Sequence, residues 1–505
     1  MNDSFPKADQ VEIMILAEGT YPYIRGGVSS WIHQLISHLP QFTFGICFLG
    51  SRPEDYGEIR YQLPENLIHL EVHYLFGESG RERGRVREIP DAPERLESLH
   101  KALASPHGTL PASLRSATFF REEFTEGFFL HSQGAWEYIN RRYLEHAPDI
   151  PFIDYFWTIR NIHRPIWTLA SIAARLPRCG LFHSPSTGYA GFLGALASYQ
   201  QGVPFFLTEH GIYTRERKID LLQADWISYR KPTLLRQPEE FNVIKETWID
   251  FFSRIGLFAY RRARHVFSLF PQAREIQLRF GAEASKCEVI PNGVNVDRLG
   301  EALARRPEEV PPVITLIGRV VSIKDIKTFI RAMRIVVSRL PEAEGWIVGP
   351  LDEDELYVEE CRQMVQALDL ERNVRFLGFQ NILDILPQTG IQTLTSISEG
   401  MPLVILEGFA AGVPCVATDV GSCRDLIEGG LDDADRAIGS AGAVTEIANP
   451  SQLAREYLDL LTDRERWQAA QKAALERVHR YYREELFLQR YSDHYRKALH
   501  GGHRL

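Results

Sequence analysis

Short apolar runs alternate with helically spaced segments along this chain, and the alternation happens twice. Val11–Ala17 (VEIMILA) is an apolar run broken only by Glu12. Gly26-Gly27 follow, and Val28–Leu39 then places Trp31, Leu35, Ile36 and Leu39 on one helical face. Phe42–Leu49 is apolar again. Strand, glycine turn, helix, strand predicts a parallel sheet with crossover helices. The rhythm resumes with Gly180–Ser184, Pro204–Thr208, a helix over Ile249–Arg264, and strands at Val266–Leu269 and Cys287–Ile290. The polar, proline-rich Arg305–Pro312 (RRPEEVPP) interrupts it. A second series starts at Val313–Ile317 and continues through Ala343–Val348, Val374–Leu377, Ile391–Thr395 and Pro414–Thr418. The prediction is an α/β fold of two doubly wound, Rossmann-like domains, 1–300 and 301–485, with a helix over 486–505 returning to the first. In such sheets ligands bind at the carboxyl ends of the strands.

One stretch breaks the pattern. Gly77–Pro148 opens with a charged segment and continues with Phe119, Phe120, Phe124, Phe128, Phe129 and Trp136 at helical spacing. It reads as a helical insertion in the first domain. Its aromatic stripe is either packing or an acceptor surface.

The bulk numbers exclude several classes. A chain of 505 residues with 44% hydrophobic and 24% charged residues is globular and long enough for more than one core. A net charge of −9 and a pI near 6.0 argue against nucleic-acid binding, which needs a broad basic face. Cys47, Cys179, Cys287, Cys361, Cys415 and Cys423 form no CxxC pair and no zinc-like Cys/His spacing, so reduced thiols and a cytoplasmic setting are expected. The first apolar run is too short and too interrupted for a signal peptide, and no run approaches the ~20 residues that span a bilayer.

Four features carry chemistry. Gly26-Gly27 precede a helix, where free N–H groups favour an anion. Gly318-Arg319 follow a strand, with Lys324 close behind. Two cations there suit a diphosphate and would stabilise charge growing on a leaving group. Glu399 and Glu407 flank the apolar Gly400-Met401-Pro402-Leu403 helix start, whose N–H groups face an anion while the carboxylates accept from hydroxyls. His210, in Thr208-Glu209-His210-Gly211, ends a first-domain strand and could bind a hydroxyl or move a proton; His183 is a weaker counterpart. Each alone has a plain structural alternative: a turn, a solvated basic loop, surface glutamates, a histidine satisfied by the fold.

In combination, GGV, PNGV, GR…K and EGMPLVILE…GVP resemble the retaining GT-B glycosyltransferase family 4 over about residues 286–430. EGTYPYIRGGVSSW and TEHGIYTRERKIDL, with the insertion between them, resemble more narrowly the glycosyltransferases of Pel exopolysaccharide synthesis, along nearly the whole chain. The resemblance implies a GT-B architecture, and transfer of a hexosyl or N-acetylhexosaminyl unit from a UDP-sugar to a growing polysaccharide with anomeric retention. It implies Arg319 and Lys324 on the donor diphosphate and Glu407 on the ribose. Glu399 falls on the transferred sugar, beside the main chain of Gly400, Met401 and Pro402. It further implies Gly27 near the diphosphate, His210 at the reacting sugar, and Asn292 and Gly293 in the interdomain link. No cofactor or metal is implied; Asp352-Glu353-Asp354 reads as a loop. Exported polymers need a transporter, so an inner-membrane synthesis and export complex is the expected partner. Two departures stand out: Asp325 follows the lysine where many members have glycine, and the large insertion is unlike the general family. An epimerase or phosphorylase on the same fold, or a non-catalytic binding subunit, is an alternative.

Overall fold

The computed structural model describes residues 5–76, 92–103, 110–217 and 243–501. Parts of the expected insertion (77–91 and 104–109) and Lys218–Leu221 of the TEHGIYTRERKIDL motif lie outside them. The chain divides into two compact units: the first takes residues up to 268, 275–288 and from 492 on, and the second takes 269–274 and 289–491.

The first unit is built on a seven-stranded sheet: β1 (Gln10–Glu18), β2 (Phe44–Gly50), β3 (Leu67–Tyr74), β4 (Arg178–Ser184), β5 (Phe205–Glu209), β6 (His265–Ser268) and β7 (Cys287–Val289), in the order β3-β2-β1-β4-β5-β6-β7. The pairs from β3 through β6 are parallel. β1 is buried from Ile13 to Ala17 because helices cover both faces of a parallel sheet, which is why it reads as an unbroken apolar run. The helix Gly27–His38 buries Trp31, Ile32, Leu35 and Ile36, the face its spacing predicts.

The second unit repeats the plan with six parallel strands: β8 (Val313–Ile317), β9 (Glu344–Val348), β10 (Val374–Gly378), β11 (Ile391–Leu394), β12 (Cys415–Thr418) and β13 (Gly442–Thr445), ordered β10-β9-β8-β11-β12-β13. In each unit the strand order reverses beside the first strand, between β1 and β4 and between β8 and β11. That reversal opens a crevice at the carboxyl ends.

β3 and β13 are additions to the sequence reading. β3 (LIHLEVHY) interleaves His69, Glu71 and His73 with its apolar residues and so lacks an apolar run, and β13 is only four residues long.

The aromatic stripe is core. Phe120, Phe124, Phe128 and Phe129 are buried and pack with Trp167 of the helix Phe152–Ala173, whose indole N–H donates to the Phe124 carbonyl at 2.6 Å. Trp136 instead stays 49% exposed. Truncating a buried phenylalanine such as Phe124 to alanine costs about 3–5 kcal/mol.

Candidate active site

The second unit's site residues sit on loops leaving β8 and β11. The Gly318 N–H donates to the Val348 carbonyl at 2.8 Å, and a side chain on Gly349 (φ 151°) would collide with the Gly318 carbonyl. The ends of β8 and β9 are thereby pressed together. Arg319 leaves this corner 58% exposed and pairs with Glu353 at 2.8 Å. Glu353 belongs to the acidic loop, whose Asp354 caps the next helix by accepting from the Tyr357 N–H.

Lys324 ends a single helical turn, and Asp325 follows in the left-handed region (φ 45°). Asp325 caps the helix Ile326–Val337 through the Thr328 N–H at 3.3 Å. The aspartate therefore serves two needs at once, since a short polar side chain tolerates this backbone and caps a helix. The Lys324 ammonium lies 2.5 Å from Glu399 Oε1, which also accepts from Ser396 Oγ at 2.5 Å. Thr395 Oγ1 donates to the Lys324 carbonyl at 2.8 Å, tying the two loops by backbone as well as by charge.

The helix Leu403–Ala410 starts at Pro402, with no side chain capping it. Proline has no N–H, so of the expected run Gly400–Leu403 only Gly400, Met401 and Leu403 carry a main-chain donor. Gly421 (φ 54°) holds the loop in place: any side chain there would strike the carbonyls of Glu399 and Gly400. Glu407, in the middle of the helix, is half-buried. Burial pushes its carboxyl up, partly offset by the charge of Arg298. A carboxylate held this way by a distant charge has acceptor capacity left for a ligand. The structure thus brings Lys324, Ser396 and Glu399 together. It leaves Arg319 on Glu353 and Glu407 facing Arg298.

Asn292 and Gly293 are clasped within the same unit. Val294 exchanges backbone hydrogen bonds with the Tyr482–Glu484 segment, at 2.9 and 3.0 Å, and Gly293 lies where a side chain would press on the Arg483 carbonyl.

In the first unit a cavity of about 470 Å³ opens at the carboxyl ends of β1, β4 and β5, with Glu18, Thr20, Tyr56, Tyr189, His210 and Tyr213 on its wall. The His210 ring meets Trp31 edge-on, with centroids 4.7 Å apart. Its Nε2 is buried with no hydrogen-bond partner among the described residues, and burial drops its pKa to about 3. It is a neutral imidazole with one nitrogen left for a hydroxyl. His183 corrects the sequence reading. It is fully buried, with Nδ1 on Tyr495 Oη at 2.7 Å and Nε2 on Thr208 Oγ1 at 2.8 Å, so the fold consumes both nitrogens. Gly26 is extended and starts the helix, and a side chain on Gly26 or Gly27 would meet nothing within 4 Å. This helix end is open surface, so packing does not demand either glycine.

Two carboxyl groups escaped the sequence reading. Glu18, at the end of β1, accepts from the Ala190 N–H at 3.0 Å and from Tyr213 Oη at 3.1 Å, with Arg217 nearby; burial still pushes its pKa up. Glu209 is buried and accepts from Tyr260, Gln277 and Thr187, and burial lifts it to about 7. The signal for Glu18 was present: a carboxylate closing an apolar strand, just before a glycine, at the end where ligands bind.

Residues 11–285 match the family described as "Domain of unknown function (DUF3492)". The chain belongs to that family. Within this family member, residues 311–463 match "Glycosyl transferases group 1". N-acetyl-alpha-D-glucosaminyl L-malate synthase of Bacillus anthracis is 31% identical over 138 residues, 27% of this chain and 34% of that protein. UDP-Gal:alpha-D-GlcNAc-diphosphoundecaprenol alpha-1,3-galactosyltransferase of Escherichia coli is 26% identical over 263 residues, 50% of this chain and 60% of that protein. The chain thus spans less than two thirds of either curated relative. HepE of Anabaena, solved in complex with UDP and glucose, superposes with a TM-score of 0.57 at 16% identity, over 96% of this chain and 99% of that one. That likeness shows the fold, two Rossmann-like domains of the GT-B class. No helix among the described residues is long and apolar enough to cross a membrane.

Proposed function

We propose that this protein is a retaining glycosyltransferase that moves a hexosyl or N-acetylhexosaminyl unit from a UDP-sugar to a growing exopolysaccharide of the Pel type. The observation that carries the reading is the Lys324–Ser396–Glu399 constellation at the ends of β8 and β11, inside the group 1 region. The UDP-galactose named in the activity of the Escherichia coli relative and the UDP bound by HepE support a UDP-sugar donor.

As the bond between the sugar and the diphosphate breaks, negative charge grows on the departing UDP. Lys324 balances that charge, and Arg319 joins it by leaving Glu353, a surface pairing worth little. On donor binding Lys324 has already exchanged Glu399 for the diphosphate, which frees the Glu399 carboxylate to accept from the sugar hydroxyls. Glu407 accepts from the ribose hydroxyls. In the first unit, His210 offers its open nitrogen to a sugar hydroxyl. The departing phosphate oxygen takes the proton of the incoming hydroxyl, so the protein positions and stabilises and forms no covalent intermediate. With two cations in place, the donor step needs no metal. The enzyme works in the cytoplasm beside an inner-membrane synthesis and export complex.

The test is a thermal shift with UDP, GDP and ADP, followed by UDP-hexoses and UDP-N-acetylhexosamines with an oligosaccharide acceptor. UDP alone should raise the melting temperature, by mass action. The productive donor should release UDP and give an extended glycan of unchanged anomeric configuration, at a rate indifferent to added Mg²⁺ or Mn²⁺. Absence of a UDP shift would remove the donor assignment. An inverted product would remove retention.

A further inference from the structure

The edge of the first sheet carries side chains that the cavity and the donor loops do not use. His69, Glu71 and His73 alternate along β3 and so share one face. Glu71 stands opposite Cys47 of β2 in the parallel register, which puts the thiol on the same face. The ligating atoms of Cys47, Glu71 and His73 all lie within 4.8 Å of one another. Cys47 is fully buried, while Glu71 and His73 keep 19% and 24% of their side chains exposed. Glu71 Oε1 is a buried atom without a hydrogen-bond partner among the described residues, and His73 Nε2, also buried, faces Glu71 Oε2 at 3.3 Å. Acceptor capacity on Glu71 is therefore left over by the fold.

We propose that Cys47, Glu71 and His73 bind a divalent ion of the zinc class, with a fourth position open to water. A thiolate, an imidazole and a carboxylate form a mixed set that suits zinc and does not suit magnesium or calcium. In tetrahedral zinc, bonds of about 2.0–2.3 Å place ligand atoms about 3.3–3.7 Å apart, so the widest of the three separations closes by at most roughly 1 to 1.5 Å on binding. Glu71 and His73 lie on an edge strand with part of their surface free, and rotation of their side chains supplies that movement. Cys47 loses its thiol proton to solvent as the metal–sulfur bond forms.

His69 has a different task. Its Nδ1 accepts the Ala8 N–H at 3.2 Å, so the neutral ring carries its proton on Nε2, which points at Glu71 Oε2 from 3.9 Å. It orients the carboxylate and does not ligate the ion, as outer groups around metal sites do. The ion would cross-link β3 to β2. β3 leads directly into Leu75 and Phe76, which line the cavity, so the metal would anchor one wall of it. No local spacing announces the site, because Cys47 lies far from the other ligands in sequence and only strand register unites them. The competing account is an ion pair of protonated His73 with Glu71, at 3.3 Å, beside an inert core thiol.

The test uses the full chain, stripped with a chelator and titrated with Co²⁺ alone, then with Zn²⁺ alone. The expected result is a thiolate-to-cobalt charge-transfer band, about one zinc retained per chain after desalting, and a melting temperature raised by zinc. Cys47→Ser should abolish the band, and His73→Gln should lose the retained zinc. His69→Gln should keep the band with about 10–100-fold weaker binding. If Cys47→Ser does not fold, His73→Gln on the exposed edge decides alone. Absence of the band in the wild type, or equal zinc retention by His73→Gln, overturns the proposal. Neither readout uses sugar transfer, so the result is independent of the proposed activity.

Discussion

The two units share one topology and treat charge in opposite ways. In the second, Lys324 and Glu399 meet as partly exposed opposite charges, and Arg319 and Glu353 do the same further out. In the first, burial drives the groups at the ends of β1, β4 and β5 toward their neutral form, His183 and His210 down to about 3, Glu209 up to about 7 and Glu18 upward; in the second, Glu407 shifts the same way while Lys324 and Glu399 stay paired. At the same strand-order reversal one unit gathers opposite charges and the other gathers neutral hydrogen-bonding groups. A diphosphate needs the first kind of surface and a sugar hydroxyl the second, because a fixed charge strengthens contacts to phosphate while a neutral imidazole can donate or accept.

The comparison breaks most decisively at Lys324. Lys324→Ala should lower turnover on the order of 10²–10³-fold, because the cation acts where charge develops. The melting temperature should change little, and Lys324→Arg should recover part of the rate. Steady-state kinetics on a folded variant checks this, and near-normal turnover would strip the second unit of its assigned role.

The first unit's neutrality has a signature in pH. His210 folds with a pKa near 3 against an ordinary 6.5, so the unfolded chain binds a proton that the folded chain refuses. The stability this represents is complete above about pH 6.5 and is lost as pH falls toward 3, on the order of 3 kcal/mol by pH 4. Glu209 runs the other way, since its folded pKa near 7 lies above its ordinary 4.5, and its contribution is lost as pH rises from about 4.5 to 7. Denaturant titrations between pH 4 and 7 should therefore show His210→Gln with a shallower acid limb than the wild type. Identical limbs would mean that the imidazole is protonated in the folded protein.

Glu407→Gln tests the smaller contribution proposed for the second unit. The amide keeps one acceptor oxygen and loses the charge, so UDP should bind about tenfold more weakly. Calorimetry reads this directly, and unchanged affinity would place the ribose elsewhere.

How legible each unit was in sequence follows from the same contrast. The apolar runs of β1 and β8 declare themselves because both faces are buried, whereas β3 hid behind His69, Glu71 and His73. Lys324 and Glu399 stand out in sequence by the order of their loops, and the structure brings the two side chains to 2.5 Å. His183 and His210 look alike in sequence, each closing a strand, and only tertiary contacts part them. Tyr495, from the far end of the chain, and Thr208 fill both nitrogens of His183, and nothing described fills Nε2 of His210. Glu18 and Glu209 went unnoticed because a carboxylate's burial is a property of the packed fold.

The mildest substitution is the most informative about how the second unit is poised. Arg319 and Glu353 are both largely exposed, so their 2.8 Å pairing contributes at most about 1 kcal/mol. Glu353→Gln should leave stability within about 0.5 kcal/mol of the wild type. It should also release Arg319 from a competitor for its guanidinium, so UDP should bind a few-fold more tightly, with the gain shrinking as salt screens the exposed charges. Weaker UDP binding in this variant would mean that Glu353 helps hold Arg319 in its working position, and the acidic loop would then count as part of the donor site.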